Sequence, residues 1–259
     1  MKTLRITFLT TALCGVIALG LAQKVRALNL VQNDGFESVT GGASGQIDYN
    51  GFSVTDWATT GYNFLYTPGS ADTTGALGQD GYVAFWGPGN PTPDLNGMPA
   101  TSPDGGNFVA LDSYVAPTSG LSVAALTQTI NGLTTGQTYD LSFYWAGVQQ
   151  YGYNGPTTDT LSVSLGSQTD VTGTIDVASH GFSPWTETTL AFTATATSEV
   201  LSFLASGTPP VTDPPFVFLD GVSLQQDSAP DTASTAMLFG CTAAGLSFAA
   251  WRYNRRCRQ

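Results

Sequence analysis

From residue 28 to residue 226 the apolar side chains fall at every second position or in short runs, and no stretch repeats them at the helical period of 3.6. Eight segments stand out: 82–86, 107–111, 125–130, 139–145, 160–165, 188–193, 199–205 and 216–224. Each is rich in β-branched or aromatic residues and bounded by Gly, Pro, Asn or Asp, so each reads as a strand. Asn131-Gly132 and Thr135-Gly136 supply positions that tolerate positive φ between two of them, and residues 195–198 are expected to close a hairpin. The spacing predicts an all-β body over 28–228, an antiparallel β-sandwich of the jelly-roll kind. Residues 40–103 break the rhythm. They are rich in Gly, Pro, Thr and Asn, and read as long binding loops or a surface insertion.

The two ends follow different rules. Lys2 and Arg5 precede an apolar run over 6–22, and Val25-Arg26-Ala27 places small residues for cleavage, so 1–27 reads as a secretory signal peptide cut after Ala27, with Ala22 as the second choice. At the other end, 229–259 divides into a polar motif (229–235), an apolar segment (235–251) and a basic close (252–259) holding Arg252, Arg255, Arg256 and Arg258. As a helix, 235–251 would span about 26 Å, the short end for one transmembrane helix, and the arginines after it predict a cytoplasmic C-terminus.

Charge narrows the chemistry. All eight lysines and arginines lie in those two ends, whereas eighteen of the nineteen acids lie between 28 and 227. A body without a cationic side chain repels nucleic acid, and has no guanidinium or ammonium to hold phosphate, sulfate or carboxylate. Cys14, Cys241 and Cys257 are all terminal, so no disulfide or thiolate chemistry is expected in the body.

Ala229-Pro230-Asp231 followed by Ser234-Thr235, the apolar segment and the basic close resemble a PEP-CTERM sorting signal, with alanine at 229 and 233 where that motif usually has valine and glycine. The resemblance implies an exosortase as processing partner, passage through the inner membrane, and a cell-surface or extracellular-matrix location with transient or permanent single-pass anchoring. A second resemblance joins the two ends of the body. Asn29-Leu30-Val31-Gln32-Asn33-Asp34-Gly35-Phe36-Glu37, followed by Trp57, is similar to the opening of galactose-binding-like jelly rolls and carbohydrate-binding modules. Residues 216–224 are similar to their closing strand. That resemblance implies neighbouring first and last strands and a structural calcium where they meet, with Glu37 and Asp220 as its carboxylates.

Trp86, Tyr151, Tyr153 and Trp185 lie beside Gly, Pro and Asn in expected loops. Exposed there, they would stack on the apolar face of a neutral sugar, with Asn90, Gln149, Gln150 and Asn154 bonding its hydroxyls. Trp145 lies in an alternating strand and reads as core. His180 is the only histidine, and with no G-x-S-x-G elbow beside Ser179 or Ser183 it reads as a loop residue rather than a triad member. The expectation is a non-enzymatic module binding neutral extracellular polysaccharide. The alternatives are a structural matrix protein without ligand and a polysaccharide-cleaving enzyme.

Overall fold

The computed structural model describes residues 28–59, 61–73, 75–79, 81–90, 96–113, 125–209 and 213–227. The proposed signal peptide and sorting tail lie outside these residues. Among the described residues no helix is long and apolar enough to cross a membrane.

Seven strands of two or three residues occupy the first part: β1 (Val39–Thr40), β2 (Gly45–Gln46), β3 (Ser53–Val54), β4 (Ala58–Thr59), β5 (Phe64–Tyr66), β6 (Ala76–Gly78) and β7 (Gly81–Val83). Nine follow: β8 (Phe108–Asp112), β9 (Leu126–Asn131), β10 (Thr138–Gln149), β11 (Thr157–Leu165), β12 (Gln168–Val171), β13 (Ile175–Val177), β14 (Thr186–Thr193), β15 (Ser198–Thr208) and β16 (Pro215–Gln226). One six-stranded sheet runs β14-β10-β16-β8-β5-β2, and the other runs β12-β11-β15-β9-β4 with β13 beside β11. Every pairing is antiparallel. The body is an all-β sandwich, as the alternation predicts.

Alternation decides which side chains meet between the sheets. Leu141, Phe143 and Trp145 of β10 face Leu161, Val163 and Leu165 of β11, with Phe203, Val217 and Leu219 beside them. Trp145 is buried, and its indole N–H donates to Thr188 Oγ1 at 2.9 Å. Trp57 is buried in the same core and donates to the carbonyl of Asn33 at 3.0 Å. The opening segment lies along the closing strand, with Leu30 N donating to Leu224 O and Val222 N to Asp34 O.

One turn differs from expectation. Residues 195–198 do not close a hairpin, because β14 pairs with β10 whereas β15 pairs with β9 and β11. The chain arches there from one sheet to the other. Glu199 holds the arch by accepting from the backbone N–H groups of Thr195 and Ala196. The Asn131-Gly132 and Thr135-Gly136 positions have positive φ at glycine between two strands, as expected, and lie in a similar arch from β9 to β10.

The region 40–103 is not a set of open loops. Its β6–β7 hairpin and the chain around it cover half the outer face of the first sheet, forming a second core of Phe64, Tyr66, Phe85, Phe108, Phe216 and Phe218. This is why β8 and the first half of β16 are buried on both faces.

Candidate functional site

Along the outer face of β16 three environments follow one another. Phe216 and Phe218 belong to the second core. Asp220 comes next. Then Gly221, at φ +60°, inserts an extra residue, so that the pairing with β10 shifts between Ser142 and Tyr144. Beyond this bulge Ser223 and Gln225 face outward, and the sheet is uncovered.

On the uncovered half the outer residues of three strands line an open groove of about 400 Å³. Ser142 stands opposite both Thr189 of β14 and Ser223 of β16, which makes a row of three hydroxyls across the sheet. Asp140 stands opposite Gln225, and Gln226, Asp227 and Glu187 complete the lining. Tyr144, half-buried, follows Ser142 on the same face. Hydroxyl, amide and carboxylate groups here can donate and accept hydrogen bonds toward a polyhydroxylated ligand. No cationic side chain stands nearby, since 28–227 contains no lysine or arginine.

At the inner end of the groove lies a convergence of acids. Asp220 is fully buried; one carboxylate oxygen accepts from the Ser102 hydroxyl, and Oδ1 has no partner. Burial pushes the Asp220 carboxyl up to about 8, with Asp104 and Glu37 adding to the rise. Glu37 is held by the Asn107 N–H at 2.7 Å, and Asn107 Nδ2 donates to the Phe36 carbonyl at 3.1 Å. A methyl group built at Gly35 would lie 3.4 Å from Asp104 Oδ2 and 3.9 Å from Asp220 Oδ1, so these two carboxylates turn an oxygen toward one point, while Glu37 passes it with its Cγ at 4.0 Å. Gly106 is equally constrained, since a Cβ there would fall 1.7 Å from Glu37 Oε1. Among the described residues no group of three or more His, Cys, Asp or Glu is gathered so as to hold a metal ion.

Asp104 was not singled out by the sequence. It lies in an Asp-Gly-Gly turn, and its spacing signals a turn, not a ligand.

The aromatic candidates have a different setting. Trp86, Tyr151 and His180 come together, with the Trp86 ring 4.5 Å from Tyr151 and stacked on His180 at 3.9 Å. The Trp86 N–H donates to the Tyr153 carbonyl. Trp86 is only 9% exposed, which corrects the reading of it as an exposed loop aromatic; its faces are covered by its own neighbours. Trp185 is half-buried and stacks on Phe218 at 6.0 Å, at the margin of the second core. Tyr153 is exposed. Asn90 and Gln149 are buried, and their amides are engaged internally, Asn90 with Gly87 and Asp72, Gln149 with Gly155 and Asp213. Gln150 is half-buried in a bridge to Phe85, and Asn154 is exposed and bonded to His180.

No protein-family model matches the chain. It is 28% identical over 222 residues to halomucin of Haloquadratum walsbyi, a match covering 85% of this chain and 2% of that protein. Among solved structures it is similar to TmCBM61 in complex with beta-1,4-galactotriose, at 14% identity and TM-score 0.41, over 78% of this chain and all of that one. It is also similar to the CBM22-1 xylan-binding domain of Paenibacillus barcinonensis Xyn10C, at 9% identity and TM-score 0.38, over 79% and 97% of the two chains. These likenesses are remote, and nothing about a ligand follows from TM-scores below 0.5.

Proposed function

We propose that this chain is an exported surface or extracellular-matrix protein whose β-sandwich binds neutral glycan and catalyses no reaction. The groove across β14, β10 and β16 carries the reading. It is open at the surface, lined by hydroxyl, amide and carboxylate groups, and free of any side chain that would select an anion. Glu37, Asp104 and Asp220 would hold a structural calcium at its inner end, fixing the bulge that separates groove from second core. Tyr144 supplies an aromatic flank on the groove side, and Tyr153 is the exposed member of the separate loop cluster.

A glycan-array screen of residues 28–227, with and without calcium, tests this. Saturable binding to neutral glycans is expected, weakened at least tenfold (about 1.4 kcal/mol) by Glu187→Gln or Ser142→Val. Loss on Tyr153→Ala with the groove variants unaffected would move the site to the loop cluster. Silence from the folded body in both conditions would favour a structural matrix role, and release of new reducing ends would overturn the non-enzymatic reading.

Processing is a separate proposal. It rests on the tail, with exosortase as partner and the 235–251 segment as a membrane anchor before cleavage. Replacing Pro230 and Asp231 together is expected to leave the body attached to that segment. An unchanged mature C-terminus by mass spectrometry would refute the sorting role.

A further inference from the structure

The first sheet ends at β14, and the direction of its backbone groups shows what that edge offers. Ala194 N, just past the strand, donates to the Gln137 carbonyl, so even-numbered positions here turn their N–H and C=O toward β10. A strand alternates the direction of its bonding groups, so those of Glu187, Thr189, Ala191 and Thr193 point away from β10. Gln168 of the other sheet occupies the last of these. Its amide donates to the Thr193 carbonyl at 2.8 Å, and its side-chain oxygen accepts from the Thr193 N–H at 3.0 Å. Among the described residues nothing meets the outward backbone groups of the other three. Glu187, Thr189 and Ala191 are also exposed, and the first two line the groove.

An open edge invites another strand, and sandwiches blunt their edges with lysine, proline, a bulge or extreme shortness. β14 has eight residues in unbroken register with β10, and contains neither proline nor lysine. The other edges of the two large sheets are short: β2 and β4 have two residues, β13 three and β12 four. Leu190, on the inner face of β14, packs against the core yet stays half-buried at this border.

Charge and register decide which strand fits. The body carries eighteen acids and no lysine or arginine, so a second copy can approach only where carboxylates do not meet. Antiparallel self-pairing centred on Thr189 is the register that pairs all three free positions with one another. It sets Thr189 against Thr189 of the second copy, and Glu187 against Ala191 on both sides of the two-fold axis. Centring on Glu187 would oppose two carboxylates, and centring on Ala191 would bring Thr189 against Thr193, whose backbone groups Gln168 holds. We propose that two copies of this chain join β14 to β14 in the Thr189-centred register, as an isologous dimer with one sheet running through both. Each pair of facing residues exchanges two backbone hydrogen bonds, and Leu190 is covered by Thr188 of the second copy. The hydroxyl row of Ser223, Ser142 and Thr189 then meets its own copy at the axis, and two grooves become one. The pairing does not depend on the glycan reading; with it, one polysaccharide chain would touch both protomers.

Sedimentation of the full chain, in mild detergent that keeps its apolar end dispersed, tests the proposal. Wild type is expected to sediment as a dimer. Ala191→Glu sets like charges opposite each other at two symmetric pairs, and is expected to raise the dissociation constant by roughly tenfold or more. Adding Glu187→Lys to that variant restores opposite charges and is expected to return the dimer, which a misfolded strand would not do. In a chain carrying Cys14→Ser, Cys241→Ser and Cys257→Ser, Thr189→Cys is expected to give a covalent dimer under mild oxidant, whereas the exposed Thr129→Cys on the other sheet gives none. A monomeric wild type would overturn the pairing. So would a dimer indifferent to Ala191→Glu, which would place the association elsewhere, in the tail or on another face. Glycan binding by a monomer would leave the proposed function standing while this pairing alone fell.

Discussion

Replacing Phe218 with alanine is expected to lower the free energy of unfolding by about 3–5 kcal/mol, the range for deleting a fully buried aromatic ring. Phe218 is the hub of the second core. Phe85 meets it edge-on at 4.9 Å, Phe108 lies tilted at 4.9 Å, and Trp185 stacks at 6.0 Å. Removing the ring leaves a cavity bounded by a rigid sheet on one side, which cannot collapse, and by the covering residues Ala71, Val83, Phe85 and Met98 on the other. The loss also reaches the site. Two residues along the strand lies Asp220, and the Ser102–Asn107 segment that engages Asp220 and Glu37 belongs to the same cover. Urea denaturation with an unchanged m-value would measure the loss. A change below 1 kcal/mol would mean that the cover is loosely attached and that its aromatics do not act as a core.

All eight segments read as strands from alternation contain a strand or a bridge in the structure, because a long half-buried strand must alternate to satisfy two faces at once. Strands of two or three residues carry no period, so β1 to β6 were illegible in a region whose composition says loop. The same composition misplaced Trp86. Glycine and proline beside an aromatic ring mark a turn, yet the ring of Trp86 folds back onto Tyr151 and His180. The arch at 195–198 was missed for a related reason: turn residues show where the chain bends, not whether it returns to the same sheet. Glu37 and Asp220 could be named in advance only through resemblance, since each is one acid among many. The groove was hidden differently. Asp140, Ser142, Thr189 and Ser223 are the ordinary polar half of alternating strands, and only the partial cover on the outer face distinguishes an open groove from a solvated sheet.

With calcium chelated, stability is expected to fall as pH rises from about 4 to about 8. The sign follows from Asp220. An unfolded aspartate ionises near 3.9, whereas burial, then the neighbouring Asp104 and Glu37 charges, raise the folded group to about 8. Folding therefore favours the protonated form. Its contribution is complete below pH 4, declines through the window as the unfolded chain releases a proton the folded chain keeps, and is lost above 8. Four pH units correspond to about 5 kcal/mol, a large share of what holds a domain of this kind together. Asp159, raised by burial, and Asp213, raised by burial against the opposing effects of the Gln149 hydrogen bond and of His180, act in the same direction. Self-repulsion among the eighteen body acids does too, so the wild-type slope alone cannot be assigned. Asp220→Asn isolates the term. The variant keeps the side-chain volume, removes the titration, and is expected to flatten the melting-temperature profile between pH 4 and 8 in chelator. Calcium should flatten the wild-type profile by a different route, because a bound cation favours the ionised carboxylates that burial otherwise opposes. A profile that rises across this window, or one that Asp220→Asn leaves unchanged, would mean that the Asp220 carboxyl is solvated in solution and that the convergence at Gly35 is not a binding site.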